Sequence, residues 1–310
     1  MAVSQGTELS LEAIEALRDL RYHRTPALRA TTEEAARAFV DEIGFCFLFG
    51  EKGVEIPTLW GAVCGSRRPV PSSHHDPDIG RTWTWKDTLP TRGAIYYGKL
   101  LRNKPTLVSL ALLPSFYALS PNYGDPLDYL EQYEAGLLSI EAKRVYEALL
   151  EEGALATSRL RQVAGLSGGG RAARLFDRAI TELQTQMRIV KVGISDASRW
   201  GYAYVYDLFT RQLPDVPKAA RAISTDRAME TLLLRYLANV AIQSEAACRR
   251  LFRWNDWEWE RLLGRFAERG ALRSDLRPAG GRGAWLALAE DEALAACTLV
   301  QQVTTDEMED

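Results

Sequence analysis

Three arginines in the middle of the chain have a spacing suited to binding DNA. Arg171, Arg174 and Arg178 stand at positions i, i+3 and i+7, so a helix carries all three on one face. A planar guanidinium group matches the oxygen atoms of a phosphate and the edge of a guanine base. The glycines at 168–170 let backbone amides approach a phosphate at the start of this helix. This segment is therefore predicted to contact nucleic acid.

Further candidate arginines follow towards the C-terminus. Arg261 and Arg265 share a helical face, and Arg277 and Arg282 flank a glycine-rich stretch that could reach a minor groove or a phosphate. Residues 221–282 contain 12 arginines and 8 acidic residues, although the whole chain has a formal net charge of −3. For each of these arginines the alternative is an ordinary solvated surface paired with nearby carboxylates.

Signals for other kinds of site are weaker. His74 and His75 lie beside Asp76 and Asp78, but a Pro- and Ser-rich loop of this kind is more typical of a solvated surface than of a metal site. The four cysteines lack a C-x-x-C spacing, which fits reduced thiols in a cytoplasm. The glycines at 168–170 lack the Lys-Ser/Thr of a phosphate-binding P-loop. We therefore expect no metal, no nucleotide and no other cofactor.

The arginines belong to an order of predicted elements that occurs twice. Each copy consists of three helices followed by a β-hairpin, which is the order of a winged helix-turn-helix domain. The first copy is predicted at 140–152, 159–164 and 171–186, with a hairpin of 187–194 and 202–208. The second copy is predicted at 228–240, 245–252 and 255–269, with a hairpin of 272–276 and 284–288. Tandem winged helices are the simplest interpretation.

The first 135 residues give a less regular pattern. Helices are predicted over 11–20, 32–40, 94–101 and 112–119, an apolar β-prone segment over 43–49, and a loop over 64–85. We expect a fold that is mainly α with short β-hairpins (α+β), built from three tandem winged helix-turn-helix domains. The predicted bounds are 1–135 for an irregular first domain, 136–218, 219–290, and 291–310 for an acidic tail.

The composition is that of a globular protein and excludes several classes. The 310 residues are 46% hydrophobic and 25% charged, which allows two or three domains at about 150 residues each. No apolar run approaches the roughly 20 residues that span a bilayer, and the N-terminus lacks a signal-peptide pattern. We expect a cytoplasmic, nucleoid-associated monomer that binds double-stranded DNA and no membrane.

One stretch of the chain carries a family resemblance. Within 231–288, Leu234-Arg235-Tyr236-Leu237 is followed by a capped short helix, by Leu262-Leu263 and by the hairpin. This stretch resembles the AlkZ/YcaQ-type DNA crosslink-repair glycosylases, and a weaker likeness covers the N-terminal third. The resemblance implies tandem winged helices and a role in DNA repair. In that family a Gly-aromatic-x-Gln-x-Gln/Asp segment holds a polar pair that activates water at the sugar carbon of an alkylated nucleotide.

The chain departs from this motif at its catalytic positions. The matching segment is Gly44-Phe45-Cys46-Phe47-Leu48-Phe49, so Phe47 and Phe49 stand where the polar pair belongs. A phenylalanine ring neither orients water nor offsets oxocarbenium-like charge. The chain is thus identified as an AlkZ-related protein without the catalytic motif. Asp87 and Glu51 are the candidates for a relocated catalytic carboxylate, and both phenylalanine rings are expected to be buried on one face of a strand.

Three functions are consistent with these residues. The first is a DNA-binding, repair-related protein without family-type base excision. The second is an active glycosylase for alkylated or crosslinked bases, in which Asp87 or Glu51 positions the water. The third is a winged-helix regulatory or protein-interaction module, because the same fold also serves to bind proteins.

Overall fold

The computed structural model describes residues 7–72, 75–195 and 202–298. Within these ranges the chain forms helices and short strands, arranged in small sheets of two or three strands. One order of elements, helix–strand–helix–helix–strand–strand, occurs three times, with one additional strand in the third copy. The expected fold class, mainly α with short antiparallel hairpins, is confirmed.

The first repeat follows a short N-terminal segment made of β1 (Thr7–Leu9) and α1 (Leu11–Arg21). The repeat itself consists, in chain order, of α2 (Glu33–Ile43), β2 (Phe45–Phe47), α3 (Leu59–Cys64), α4 (Pro77–Thr91), β3 (Tyr96–Gly98) and β4 (Thr106–Val108). Its strands pair antiparallel in the order β2-β4-β3, so the last strand lies between the other two.

Two predicted elements of the first repeat are wrong. The expected loop over 64–85 is helical from Pro77 onwards, because Asp76 caps the helix and proline in the first turn needs no amide partner. The expected helix over 94–101 is instead the short strand β3, which pairs along its length with β4. Consecutive aromatic residues fit a strand better than a helix, and the pairing with β4 decides the conformation.

The second repeat is preceded by two connecting helices, α5 (Leu113–Tyr117) and α6 (Asp128–Glu134). It consists of α7 (Ile140–Glu152), β5 (Leu155–Ala156), α8 (Thr157–Val163), α9 (Arg171–Thr185), β6 (Ile189–Ser195) and β7 (Ala203–Leu208). The strand order is β5-β7-β6, the same as in the first repeat. Of the segment that joins the two predicted hairpin strands, residues 196–201 lie outside the described residues.

The third repeat follows the connecting helices α10 (Phe209–Gln212) and α11 (Asp215–Ala220). Its elements are α12 (Thr225–Val240), β8 (Ile242–Ser244), α13 (Glu245–Phe252), α14 (Asp256–Arg269), β9 (Leu272–Arg273), β10 (Leu276–Pro278) and β11 (Trp285–Leu288), and α15 (Glu292–Ala295) follows. The sheet has the order β8-β11-β9, whereas β10 pairs in parallel with β1. Ser244 is the N-cap residue of α13, and Asn255 is the N-cap residue of α14.

One hydrophobic core joins the first and third repeats and also includes Val190 of β6, while the first and second repeats each have a further core of their own. Phe45 and Phe47 of β2 lie in the same buried cluster as Leu232 and Trp259 of the third repeat. The N-terminal segment also packs on the third repeat, where Arg18 of α1 donates to the Val240 and Ile242 carbonyls at 3.0 and 2.8 Å. The second repeat therefore contacts a larger body formed by both ends of the chain.

Candidate functional site

The exposed face of α9 carries the three predicted arginines. Arg171, Arg174 and Arg178 are all exposed, while the opposite face of the helix packs into the core of the second repeat. Within the described ranges no hydrogen bond or ion pair engages any of their guanidinium groups. Three positive charges on one helical face are thus available to a ligand from outside the chain.

The start of α9 is open as well. Gly168 and Gly170 have positive φ angles of 108° and 59°, a region in which a side chain would be strained. No side chain caps the helix, and an added Cβ at either glycine meets nothing within 4 Å. The amides of the first turn therefore have no side-chain cap, and an anion there is favoured by the helix dipole.

The arginines of α14 are engaged by carboxylates. Arg261 and Arg265 both bind Asp226, the latter at 2.7 Å. Arg265 and Arg269 form ion pairs with Glu230 at 2.6 and 3.0 Å. Both acids belong to α12, and the Glu230 side chain is only 2% exposed. A phosphate could bind these arginines only by displacing their carboxylate partners.

The two remaining predicted arginines differ in position. Arg277 lies on β10, where it forms an ion pair with Glu8 of β1 at 3.0 Å. It is therefore in a paired strand and not at the loop tip where the sequence places it. Arg282 lies in the loop before β11 and is exposed, and its carbonyl accepts a hydrogen bond from the Trp285 indole at 3.2 Å.

A buried cluster of charged and phenolic groups joins α4 to the β6–β7 hairpin, and we call it the lysine–aspartate cluster. Its members are Lys86, Asp87, Lys191, Tyr202 and Tyr204. The Lys86 Nζ atom lies 2.7 Å from Asp87 Oδ1 and 2.7 Å from the Tyr204 hydroxyl. Lys191 donates to the same Oδ1, and the Tyr202 hydroxyl donates to Oδ2. Both oxygens of Asp87 are therefore occupied.

Aromatic rings surround the two ammonium groups. Lys86 Nζ lies 4.8 Å from the centre of the Trp83 ring, and Lys191 Nζ lies 4.3 and 4.8 Å from the centres of Tyr204 and Tyr97. Ring faces attract cations, and this attraction strengthens where water is excluded. Two positive charges are thus stabilised by one carboxylate and by ring faces.

Burial and the neighbouring charges change the pKa values of Asp87 and Lys191 in the cluster. Burial disfavours the Asp87 carboxylate, but hydrogen bonds from Lys191, Lys86 and Tyr202 outweigh it and lower the pKa of Asp87. Burial and the neighbouring Lys86 ammonium lower the pKa of Lys191 to about 8, against the attraction of Asp87. Asp87 is therefore ionised at neutral pH, while Lys191 is readily converted to a neutral amine.

The phenylalanine pair of the family segment does not share one face. Phe47 is 1% exposed in the core common to the first and third repeats. Phe49 lies beyond the end of β2, half-buried, with its ring centre 6.4 Å from Trp60 and 5.4 Å from Trp83. The expectation that both rings pack together is wrong, because the strand ends at Phe47. Phe49 and Lys86 contact the same Trp83 ring.

The two candidate carboxylates have different surroundings. Asp87 belongs to the lysine–aspartate cluster, whereas Glu51 forms a 2.8 Å ion pair with Lys104 and lines a cavity of about 390 Å³ beside Trp60. No contact of Glu51 among the described residues is with a member of the cluster. Sequence reasoning missed Lys191, for which the available signal was a lone lysine in an apolar strand segment.

The residues that the structure describes contain no group of three or more His, Cys, Asp or Glu side chains placed to hold a metal. Asp76 caps α4, and Asp78 forms an ion pair with Arg29 at 2.6 Å. His74 of the predicted patch lies outside the described residues. No helix in the described ranges is both long enough and apolar enough to cross a bilayer.

The three repeats share one strand order and define a mainly α protein with small antiparallel sheets. The chain belongs to the AlkZ-related family, whose model matches residues 30–253. It is similar in structure to the Streptomyces sahachiroi DNA glycosylase AlkZ, with a TM-score of 0.56 and 14% sequence identity over 94% of this chain and 73% of that chain. No curated protein matches its sequence. At this identity the structural likeness concerns the fold alone.

Proposed function

We propose that this protein binds duplex DNA through the exposed face of α9 and serves in DNA repair without the family-type excision of bases. The observation that carries the proposal is the set of three exposed arginines without partners among the residues that the structure describes. They occupy the third helix of a winged-helix repeat, the helix that enters the major groove in helix-turn-helix proteins. Membership of the AlkZ-related family and the likeness to a DNA glycosylase support a repair role.

The binding is proposed to depend on charge more than on sequence. Guanidinium groups bind phosphate oxygens on any duplex, and the open start of α9 adds backbone amides to the same surface. Arg261, Arg265, Arg277 and Arg282 are proposed as secondary contacts. All but Arg282 must first give up a carboxylate. Three third helices in one chain need no second copy, so we propose a monomer associated with the nucleoid.

The proposed absence of family-type excision rests on the segment 44–49. Phe47 is enclosed in the core and Phe49 packs on tryptophan rings, so neither position offers an atom that can orient water. General-base and electrostatic contributions to such hydrolysis are each worth about 10²–10⁴-fold in rate. Asp87 does not replace them in the structure as it stands, because both of its oxygens already accept hydrogen bonds.

The DNA-binding proposal is tested by the salt dependence of duplex affinity. Fluorescence anisotropy with an undamaged duplex gives the slope of log K against log salt, to which each phosphate contact contributes about −0.9. Replacing Arg171, Arg174 and Arg178 with alanine is expected to flatten this slope by about 2–3 units and to weaken binding at every sequence tested.

A matched control removes the same charge elsewhere. Arg37, Arg92 and Arg227 are exposed arginines of other helices or helix ends, and replacing them with alanine changes the net charge equally. This control is expected to keep the wild-type slope to within about one unit. Equal salt slopes for the wild type and the α9 triple-alanine variant would show that α9 does not contact the duplex.

A second candidate function, glycosylase activity through Asp87, is favoured by one observation. The ionised Asp87 carboxylate is bound by Lys86, whose ammonium group lies over the Trp83 ring that Phe49 contacts. Incubation with a duplex carrying N7-alkylated bases and measurement of the released base distinguish the two functions. We expect no release. Release that Asp87→Asn abolishes, with duplex binding unchanged, would establish this second function instead.

A further inference from the structure

The chain contains few lysines, and the buried ones lie together in one place. Of 38 basic residues only seven are lysines, and Lys86 and Lys191 are 0% and 3% exposed. Burying an ammonium group is costly unless it is paired, and here two of them share one carboxylate oxygen. An arginine would stay charged in such a site, whereas a lysine can lose its proton. The arrangement therefore favours a neutral amine.

The surroundings of Lys191 separate it from Lys86. The Lys86 ammonium group has two close oxygen partners, Asp87 and the Tyr204 hydroxyl, both at 2.7 Å. Lys191 has the pKa of about 8, because it is buried and faces that cation. A desolvated lysine beside a second cationic group is the usual arrangement of an amine that attacks carbonyl carbon. Of the two lysines, Lys191 is thus the one whose surroundings favour the neutral amine.

Two features place this residue near the surface. Lys191 and Tyr97 line a cavity of about 120 Å³, which is room for about four water molecules. On another side Tyr202, whose hydroxyl donates to Asp87, is 44% exposed. Tyr202 thus lies between the cluster and solvent beside the β6–β7 hairpin, the wing of the repeat that carries α9.

We propose that Lys191 captures aldehydes by forming a Schiff base with the ring-opened deoxyribose of an abasic site in DNA. The neutral Nζ attacks the C1′ carbonyl carbon, a C=N bond replaces the C=O bond, and the carbonyl oxygen leaves as water. Hydrolysis by water reverses the step and restores the amine. Undamaged DNA offers no carbonyl of this reactivity, whereas loss of a base exposes one. The choice of substrate rests on the proposed DNA binding, and the amine chemistry does not.

Reductive trapping tests the proposal. The full-length protein is mixed with a duplex containing one abasic site and with sodium cyanoborohydride, which reduces the imine to a stable secondary amine. We expect a covalent protein–DNA adduct whose peptide map places the modification on Lys191. The yield is expected to rise severalfold between about pH 6.5 and pH 8.5, as Lys191 loses its proton. Adducts confined to other lysines would overturn the proposal.

Variants separate Lys191 from the other lysines. Lys191→Arg keeps the charge but cannot form an imine, and we expect at least about a tenfold loss of adduct. The matched control Lys218→Arg changes an exposed lysine on α11 and is expected to keep the wild-type yield. Tyr202→Ala is expected to raise the yield by uncovering the cluster. Wild-type yield in folded Lys191→Arg would overturn the proposal, and peptide mapping of the wild type decides it if that variant fails to fold.

A small substrate distinguishes this proposal from that of DNA binding. Free 2-deoxyribose 5-phosphate carries the same aldehyde and needs no duplex interface, so trapping is repeated with it on the wild type and on the α9 triple-alanine variant. Labelling of Lys191 in both supports aldehyde capture even if duplex binding fails. Duplex binding without labelling of Lys191 by either substrate overturns aldehyde capture and leaves the proposed function standing.

Discussion

The third helices of the second and third repeats carry the same kind of residue and use it differently. The arginines of α9 are exposed and have no partner among the described residues, whereas those of α14 are held by Asp226 and Glu230. The difference comes from the first helix of each repeat. In the third repeat α12 supplies both acids, while Glu147 and Glu152 of α7 pair with Lys143 and Arg159. An arginine's availability is thus decided by a neighbouring helix.

The N-termini of α9 and α14 also differ in whether the chain itself satisfies their free backbone amides. At α14, Asn255 and Glu258 form a capping box, in which side chains occupy the free amides of the first turn. At α9, Gly170 supplies no side chain and lies in open space. The first turn of α14 is satisfied from within the chain, and that of α9 is left for solvent or for a ligand.

The largest expected contrast is in stability. Replacing Arg261, Arg265 and Arg269 with alanine leaves the buried Glu230 without its partners on α14, and we expect a loss of about 1–3 kcal/mol in the free energy of unfolding. The α9 triple-alanine variant is expected to stay within about 0.5 kcal/mol of wild type, because the three arginines have no partners within 7–72, 75–195 and 202–298. Urea unfolding of both variants measures this, and equal losses would mean that α9 is also held by ion pairs.

The third helix of the first repeat, α4, buries Lys86 and Asp87 against Lys191 of β6, which gives a pH dependence. Lys191 has a folded pKa of about 8, below its ordinary value of 10.5. Between these values the unfolded chain binds a proton that the folded chain lacks, so stability rises with pH. We expect the difference in unfolding free energy between wild type and Lys191→Met to increase by about 2 kcal/mol from about pH 7.5 to 9.5.

Urea unfolding at stepped pH values checks this prediction. The groups that face Lys191 are Lys86, Asp87, Tyr97 and Tyr204, and burial raises the pKa of Tyr97 above the tested range. Asp87, with its lowered pKa, stays ionised throughout. A difference that is flat or falls over this range would show that Lys191 keeps its proton in the folded state.

A gain in DNA affinity tests whether the ion pairs alone keep the α14 arginines from binding DNA. In the double variant Asp226→Asn and Glu230→Gln, the carboxylates no longer hold Arg261, Arg265 and Arg269. If these arginines then reach phosphates, duplex affinity is expected to rise about tenfold and the salt slope to steepen by about 2 units. Anisotropy on the folded variant measures both. Unchanged affinity would mean that α14 faces away from the duplex.

The smallest expected effect concerns the two helix starts. Asn255→Ala removes the cap of α14 and is expected to cost about 1 kcal/mol of stability without altering DNA affinity. Gly170→Ala strains a residue at a φ of 59°, with a similar cost, and is expected also to weaken binding. Thermal melts measure the loss of stability in each variant, and fluorescence anisotropy measures the change in DNA affinity. Loss of DNA affinity in the Asn255 variant would contradict the assignment of binding to α9.

Much of the second and third repeats is fixed by interactions within a few residues. Apolar periodicity predicts α7 over 140–152, and a polar residue before the first turn predicts the starts of α13 and α14. The common face of the α9 arginines follows from helical geometry alone. These features need no distant partner, and the sequence by itself therefore determined them.

Contacts between distant residues decided the rest. Lys191 reaches Asp87 across 104 positions, and Arg261 meets Asp226 across 35. β3 is a strand because it pairs with β4. β1 packs on the third repeat because it pairs with β10 of that repeat. No local pattern encodes such pairs, since burial and charge pairing depend on which surfaces the whole fold brings together. The sequence supplied the arginines and the lysines, and only the tertiary structure determined which of them are free, which are paired and which are buried.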